Sequence, residues 1–221
     1  MEWVRQAVWV KVCGICNVED ALRAVELGFD AIGLNFVEGS SRRITPDAAC
    51  RIVEAVRQRA ETIGVVANLS VASMLGLVSD VGLDALQLHG DEPPDHVRQL
   101  GHSSYKAVRV ATGEDVGLAA RYPGDRLLVD AKVQGMLGGS GQTFDWDLVT
   151  ELARHRHIIL AGGLHPGNVA QAVQRVLPWG VDVASGVEAA NQVRHKSASK
   201  MADFIEQARE AEQALRPARS P

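Results

Sequence analysis

Short apolar runs at 10–12, 30–36, 63–68, 85–89, 105–110, 126–130, 157–161 and 181–185 read as strands. Between them, apolar residues recur at helical spacing over 19–27, 46–60, 71–81 and 93–100. The same spacing marks a weak stretch ending near Tyr122, another from about Trp146, and two more at 166–176 and 198–214. Ala49, Ile52, Val53 and Val56 share one face of the second helix, and Met74, Leu75, Val78 and Val81 one face of the third. Asn17, with Asp20 three residues on, has the form of an N-cap, and Gly28 of a stop. Pro46 suits a first helical turn, where a missing N–H costs little.

Strands alternating with helices imply parallel pairing. About eight such units, each about 25 residues long, imply closure into a barrel. The expected fold is α/β, a single-domain (β/α)8 TIM barrel, with an open doubly wound sheet as the competing architecture. One domain is expected over 1–221, with its core at about 9–212 and a frayed tail at 215–221.

Composition narrows the function classes. Hydrophobic residues are 46% and charged residues 23%, which excludes a disordered chain or a coiled coil. Aromatics are 5%, so Ala, Val, Leu and Ile must build the core. A net charge of −4 argues against nucleic-acid or membrane-surface partners. No run reaches the roughly 18 unbroken apolar residues of a membrane span. The N-terminus lacks the basic start and apolar run of a signal peptide. Three cysteines, Cys13, Cys16 and Cys50, are too few for a disulfide framework, so a cytoplasmic location is expected.

In a barrel, chemistry sits where strands end. The polar or reactive residues there are Cys13, Asn35, Asn68, Gln87, His89, Arg109, Asp130, Lys132, Asp182 and Ser185. Cys13 and Asp130 belong to strands far apart in the chain, and closure would aim both at one mouth, where a thiol and a carboxyl can work as base and acid. Separately, Cys13 reads as a buried small hydrophobe, and Asp130 as a cap or a surface ion pair. Cys13 and Cys16 also spell C-x-x-C, but the pair leaves a strand instead of opening a helix, and four zinc ligands are not at hand. No metal is expected.

Two glycine turns, 161–164 and 184–188, have the form of phosphate cradles. Gly162, Gly163, Ser185 and Gly186 are their candidate residues, in the two barrel loops that recurrently hold a phosphate. Arg42 and Arg43 follow the second strand, where one of them could clamp a carboxylate. The glycine-rich segment 135–141 is either a lid or a plain connection.

Taken together, seven stretches resemble the phosphoribosylanthranilate isomerase family of tryptophan biosynthesis. They are KVCGI at 11–15, SRRITP at 41–46, LQLHGDE at 86–92, LVDAK at 128–132, GSGQTFDW at 139–146, LAGGL at 160–164 and VDVASGVE at 181–188. The resemblance implies an Amadori rearrangement of N-(5′-phosphoribosyl)anthranilate to 1-(2-carboxyphenylamino)-1-deoxyribulose 5-phosphate. It assigns Cys13 as general base, Asp130 as general acid and Arg42 to the anthranilate carboxylate. Gly163, Ser185 and Gly186 match its phosphate loops, and Asp182 and His89 match positions lining the site. It implies no cofactor, a phosphorylated small-molecule substrate, and either a monomer or a homodimer. The chain departs from the usual pattern at Cys16, Ala67-Asn68, 164–167 and Ala184.

The assignment places demands on the pair. A free thiol near pKa 8.5 is roughly 3% thiolate at pH 7, and a free Asp near 3.9 is roughly 0.1% protonated. The mouth is therefore expected to favour thiolate at Cys13 and to disfavour charge at Asp130. The rival readings are a related sugar isomerase of histidine biosynthesis, a non-catalytic phosphate-binding barrel, and a dithiol redox protein. The first uses an aspartate where this chain has Cys13.

Overall fold

The computed structural model describes residues 7–110, 112–130 and 147–215. Eight parallel strands close in chain order, the last pairing with the first. They are β1 (Trp9–Cys13), β2 (Ala31–Asn35), β3 (Glu61–Val66), β4 (Ala85–Leu88), β5 (Ser104–Arg109), β6 (Arg126–Asp130), β7 (His157–Ala161) and β8 (Gly180–Val183). The helices are α1 (Val18–Glu26), α2 (Pro46–Val56), α3 (Val71–Val81), α4 (Pro94–Leu100), α5 (Gly113–Ala119), α6 (Asp147–His155), α7 (Val169–Val176) and α8 (Ala198–Ala214). The expected (β/α)8 barrel is the architecture found, and the open sheet is excluded by the β1–β8 pairing.

Period-2 alternation splits the apolar residues between two cores. The larger lies between strands and helices and includes Val10, Val12, Ile32, Leu34, Leu86 and Val181. The smaller fills the barrel, with Ala31, Ile63, Ala85, Tyr105, Ala107, Leu128, Ile159 and Ala161. At the strand-start end Trp9 stacks on Trp179 and Trp179 on His157, each pair with centroids 5.1 Å apart. These rings close the floor of the barrel.

Several local expectations meet their physical reason. The Asn17 side chain accepts the Asp20 N–H, as the spacing implied. Helix α2 stops at Val56, short of the expected residue 60, because Arg57 turns extended and Gln58 takes φ +62°. Helix α3 has its expected bounds and buries Met74 and Val81, but Leu75 is 51% exposed, so the buried face is narrower than the apolar spacing suggested. Helix α7 begins at Val169, not 166, because Asn168 Oδ1 accepts the His165 N–H and holds the preceding residues in a turn.

After β8 the chain makes a 3₁₀ turn at Ser185–Val187 and a short antiparallel hairpin, β9 (Glu188–Ala189) with β10 (Gln192–Lys196). The hairpin had no signature in the hydrophobic pattern, since four of the five residues of β10 are exposed. Its role is tethering. Lys196 N–H donates to Asp20 Oδ2 at 2.9 Å, and Arg194 donates to the carbonyls of Ser41 and Arg43. Lys132, the segment 135–141 and residues 216–221 of the expected tail lie outside the described residues.

Candidate active site

Strand alternation carries Lys11 and Cys13 to the same side of β1, facing the barrel interior. Lys11 has no solvent exposure. Its Nζ donates to Asp182 Oδ1 at 2.9 Å and to Gln87 Oε1 at 3.1 Å, reaching across the barrel from β1 to β8 and β4. The Tyr105 hydroxyl donates to the same Gln87 oxygen at 3.1 Å. An ammonium only donates, so this atom must be the amide oxygen, and Gln87 Nε2 donates to His89 Nδ1 at 3.0 Å. Neutral His89 therefore holds its proton on Nε2.

Burial opposes the charge on Lys11, but Asp182, Cys13 and Tyr105 outweigh it and hold the ammonium above its ordinary range. The Cys13 thiol, buried above this network, is pushed up by desolvation against the pull of Lys11 and Lys196. The expected preference for thiolate is thus not realised: burial exceeds the attraction of the nearby cations. His89 is held below its ordinary value by desolvation, against the opposing field of Asp130. It is neutral at pH 7.

Asp130 ends β6, in register with Arg109 of β5 and Ala161 of β7. It lies one pleat beyond Leu128, which belongs to the interior cluster, and is an electrostatic neighbour of His89. Cys13 and Asp130 thus end strands on the same face of the barrel and border one connected set of side chains.

Arg42 comes from the β2–α2 loop, and its Nε donates to Glu188 Oε1 at 2.5 Å. This bond and the Glu188 charge hold the guanidinium above its ordinary range. The stem of Arg42 lies against Gly14, where φ is +74° and a Cβ would strike the Arg42 Cδ. The Arg42 side chain is thus docked beside Cys13, with one edge of its guanidinium held by Glu188. Lys196 Nζ donates to the Ala184 carbonyl at 2.9 Å and stands 3.6 Å from Glu188 Oε1.

The glycine turns come together. Gly162 and Gly163 both have positive φ, +91° and +69°. A Cβ on Gly186 would run into the Leu164 carbonyl oxygen and His165, so the two loops meet backbone to backbone. Asn168 and His165 brace this corner: Gly167 N–H donates to His165 Nδ1 at 3.1 Å and Asn168 Nδ2 to the Gly163 carbonyl at 3.1 Å. A Cβ on Gly163 would meet nothing within 4 Å, which makes this the open face of the turn. Ser185 is exposed beside it.

Other strand-end candidates are turned to structural work. Asn35 Oδ1 accepts the Val37 N–H at 2.8 Å within its own loop. Asn68 Oδ1 accepts the Asp91 N–H at 2.7 Å, and the Asn68 N–H donates to buried Glu92. Cys16 bonds weakly to the carbonyls of Gly14 and Arg42 at 3.5 Å, and all three cysteines are free thiols. Among the described residues no cluster of His, Cys, Asp or Glu could hold a metal, and no helix is long and apolar enough to cross a membrane.

Four side chains around the buried lysine and the thiol were not among the expected ones: Lys11, Tyr105, Glu188 and Lys196. A signal existed for Lys11, a charge two residues before Cys13 inside an apolar strand and so on the same face. None existed for Lys196, which depends on the hairpin.

Comparison with known proteins follows the same outline. A family model described as N-(5′-phosphoribosyl)anthranilate (PRA) isomerase matches residues 10–207. An N-(5′-phosphoribosyl)anthranilate isomerase of Thiobacillus denitrificans is 44% identical over 205 residues, covering 92% of this chain and 98% of the relative. One of Pseudomonas fluorescens is 41% identical over 211 residues, 95% and 99% of the two chains. The crystal structure of phosphoribosyl anthranilate isomerase from Thermotoga maritima superposes with a TM-score of 0.85 at 40% identity, covering 92% of this chain and 99% of that one. A phosphoribosyl anthranilate isomerase solved with reduced 1-(o-carboxyphenylamino)-1-deoxyribulose 5-phosphate superposes with a TM-score of 0.82 at 38% identity, with the same coverage.

Proposed function

Since the chain belongs to the N-(5′-phosphoribosyl)anthranilate isomerase family, we infer that it converts N-(5′-phosphoribosyl)anthranilate to 1-(2-carboxyphenylamino)-1-deoxyribulose 5-phosphate, with Cys13 as general base and Asp130 as general acid. The observation that carries this reading is a thiol and a carboxyl ending β1 and β6 on one barrel face, both bordering a buried polar network.

Asp130 gives a proton to the furanose ring oxygen as the C1′–O bond breaks, and the anthranilate nitrogen supplies the electron pair of the Schiff base. Cys13, as thiolate, removes the C2′ proton, and the C2′–H electrons form the enolamine. Tautomerisation to the ketone adds a proton at C1′ and removes one from the C2′ hydroxyl, so the reaction is proton-neutral. No redox partner is needed. Neutral His89, with its proton on Nε2, can donate to a substrate oxygen or to Asp130 without adding charge.

The phosphate is assigned to the joined loops at Gly162, Gly163, Ser185 and Gly186, where positive-φ glycines let backbone N–H groups approach an anion. The substrate carboxylate is assigned to Arg42, whose Nε is committed to Glu188 and whose terminal nitrogens complete a fork. Asp182, 8% exposed and bonded to Lys11, acts from beneath the substrate.

Purified protein mixed with freshly prepared phosphoribosylanthranilate should abolish the substrate's fluorescence at a rate proportional to enzyme. Absence of turnover under conditions where a characterised family member works would refute the assignment.

A further inference from the structure

Lys11 is a fully buried cation that the reaction above does not use directly. It is shared. An ammonium carries three donor hydrogens, of which Asp182 Oδ1 takes one at 2.9 Å and Gln87 Oε1 a second at 3.1 Å. The position of a Cβ on Gly33 locates the Lys11 stem relative to the sulfur: it would stand 2.8 Å from Cys13 Sγ and 3.1 Å from Lys11 Cε. Gly33 therefore lines a space that the Lys11 Cε and the Cys13 sulfur share, which brings the two side chains together. With any larger residue there, sulfur and stem could not both keep their places.

We propose that Lys11 is the positioning residue that holds the Cys13 thiolate in place, and that Asp182 controls how much of the Lys11 charge reaches the sulfur. This rests on the reading of Cys13 as the base. The Lys11–Asp182 pair is neutral as a unit, so forming a thiolate beside it puts one uncompensated negative charge in a dry interior. Removing the Asp182 charge turns the unit into a net cation facing sulfur, whereas the intact pair offers the sulfur only a dipole.

The other charged and titratable groups around Cys13 do less. Lys196, from β10, and Arg42, from the β2–α2 loop, both face it but share the Glu188 carboxylate. Tyr105 of β5 donates its hydroxyl proton to Gln87 and is kept neutral by burial. Lys11 and Asp182 are therefore the pair whose balance sets the thiol. Burial, Lys11 and Asp182, in that order, are the largest influences on it.

The test is a pH titration of the full chain labelled with ¹³Cβ-cysteine, read by NMR, with the three resonances assigned by single Cys→Ser variants. Asp182→Asn should lower the Cys13 midpoint, raising the thiolate-to-thiol ratio about tenfold at a given pH. Lys11→Met should raise the midpoint. Because Lys11→Met strands a buried carboxylate and can fail to fold, the double variant Lys11→Met/Asp182→Asn is compared with Asp182→Asn alone. In that shared background its midpoint should lie higher by at least the same factor. Cys16, whose charged neighbours are Arg194, Lys196, Arg42 and Asp20, is the internal reference and should not move. Equal Cys13 midpoints in Asp182→Asn and the double variant would overturn the proposal, as would an unmoved midpoint in Asp182→Asn against the parent. These readouts involve no turnover. Failure of Cys13 as the base would appear instead as retained kcat in Cys13→Ala.

Discussion

A sulfur atom in a water-poor pocket is a poor base until something stabilises its charge, and Cys13 is in that position. Replacing it with alanine should lower kcat by about 10²–10⁴-fold while KM changes little, since the base proposed above would act on the reacting carbon and not on the phosphate handle. Burial raises the thiol, so thiolate becomes scarcer at a given pH and the base-dependent limb of kcat/KM should rise through the ordinary thiol range near 8.5 and beyond. Rate measurements against pH check this, and in Cys13→Ser that limb should vanish. At this scale the sequence was informative where chemistry and strand period coincide. Cys13 and Asp130 could be read from apolar runs ending in a reactive residue. Lys11 lay in the same run, but an isolated charge within a strand does not say whether it faces solvent, a helix or a partner 171 residues away. That fact is tertiary.

Elements position these residues through a few close approaches. The corner where the loops after β7 and β8 meet depends on Gly186, because its missing Cβ admits the Leu164 carbonyl. Gly186→Ala should force the loops apart, raising KM for the substrate and the inhibition constant of inorganic phosphate together by about tenfold or more, with a smaller effect on kcat. Steady-state kinetics with phosphate as competitor separates these. Strand and helix order was legible because eight apolar runs alternate with helical spacing. Helix ends were legible where a side chain does the capping, as at Asn17, and illegible where the backbone decides, as at Gln58. The hairpin β9–β10 escaped because its exposed residues have no reason to alternate. It is held by Asp20, Ser41 and Arg43, and nothing local to 188–196 announces those contacts.

At the scale of the whole molecule, the interior network makes stability depend on pH. His89 binds its proton less readily in the fold than in the unfolded chain, because burial disfavours the imidazolium. Its stabilising contribution is therefore fully present above its unfolded pKa of about 6.5 and is lost as pH falls from there through the lower folded-state value. His89→Gln, which keeps a polar partner for Gln87, should lose less melting temperature than the parent between pH 7.5 and pH 5.5. Thermal denaturation at the two pH values gives the comparison, and an identical drop in both proteins would contradict it. For this chain, sedimentation would decide between monomer and homodimer.

The join between β1 and β8 also governs how the protein comes into being. Contacts at three heights fasten the first strands to the last: Trp9 on Trp179 at the floor, Lys11 to Asp182 at mid-height and Arg42 to Glu188 at the rim. A nascent chain leaving the ribosome offers Lys11 long before the carboxylate that will neutralise it. Until β8 has been made, the Lys11 ammonium has no Asp182 to pair with inside the barrel, and the first strand cannot be sealed there. The Lys11–Asp182 pair accordingly cannot form before β8, and a truncated product ending before β8 should leave Lys11 without its carboxylate and be inactive.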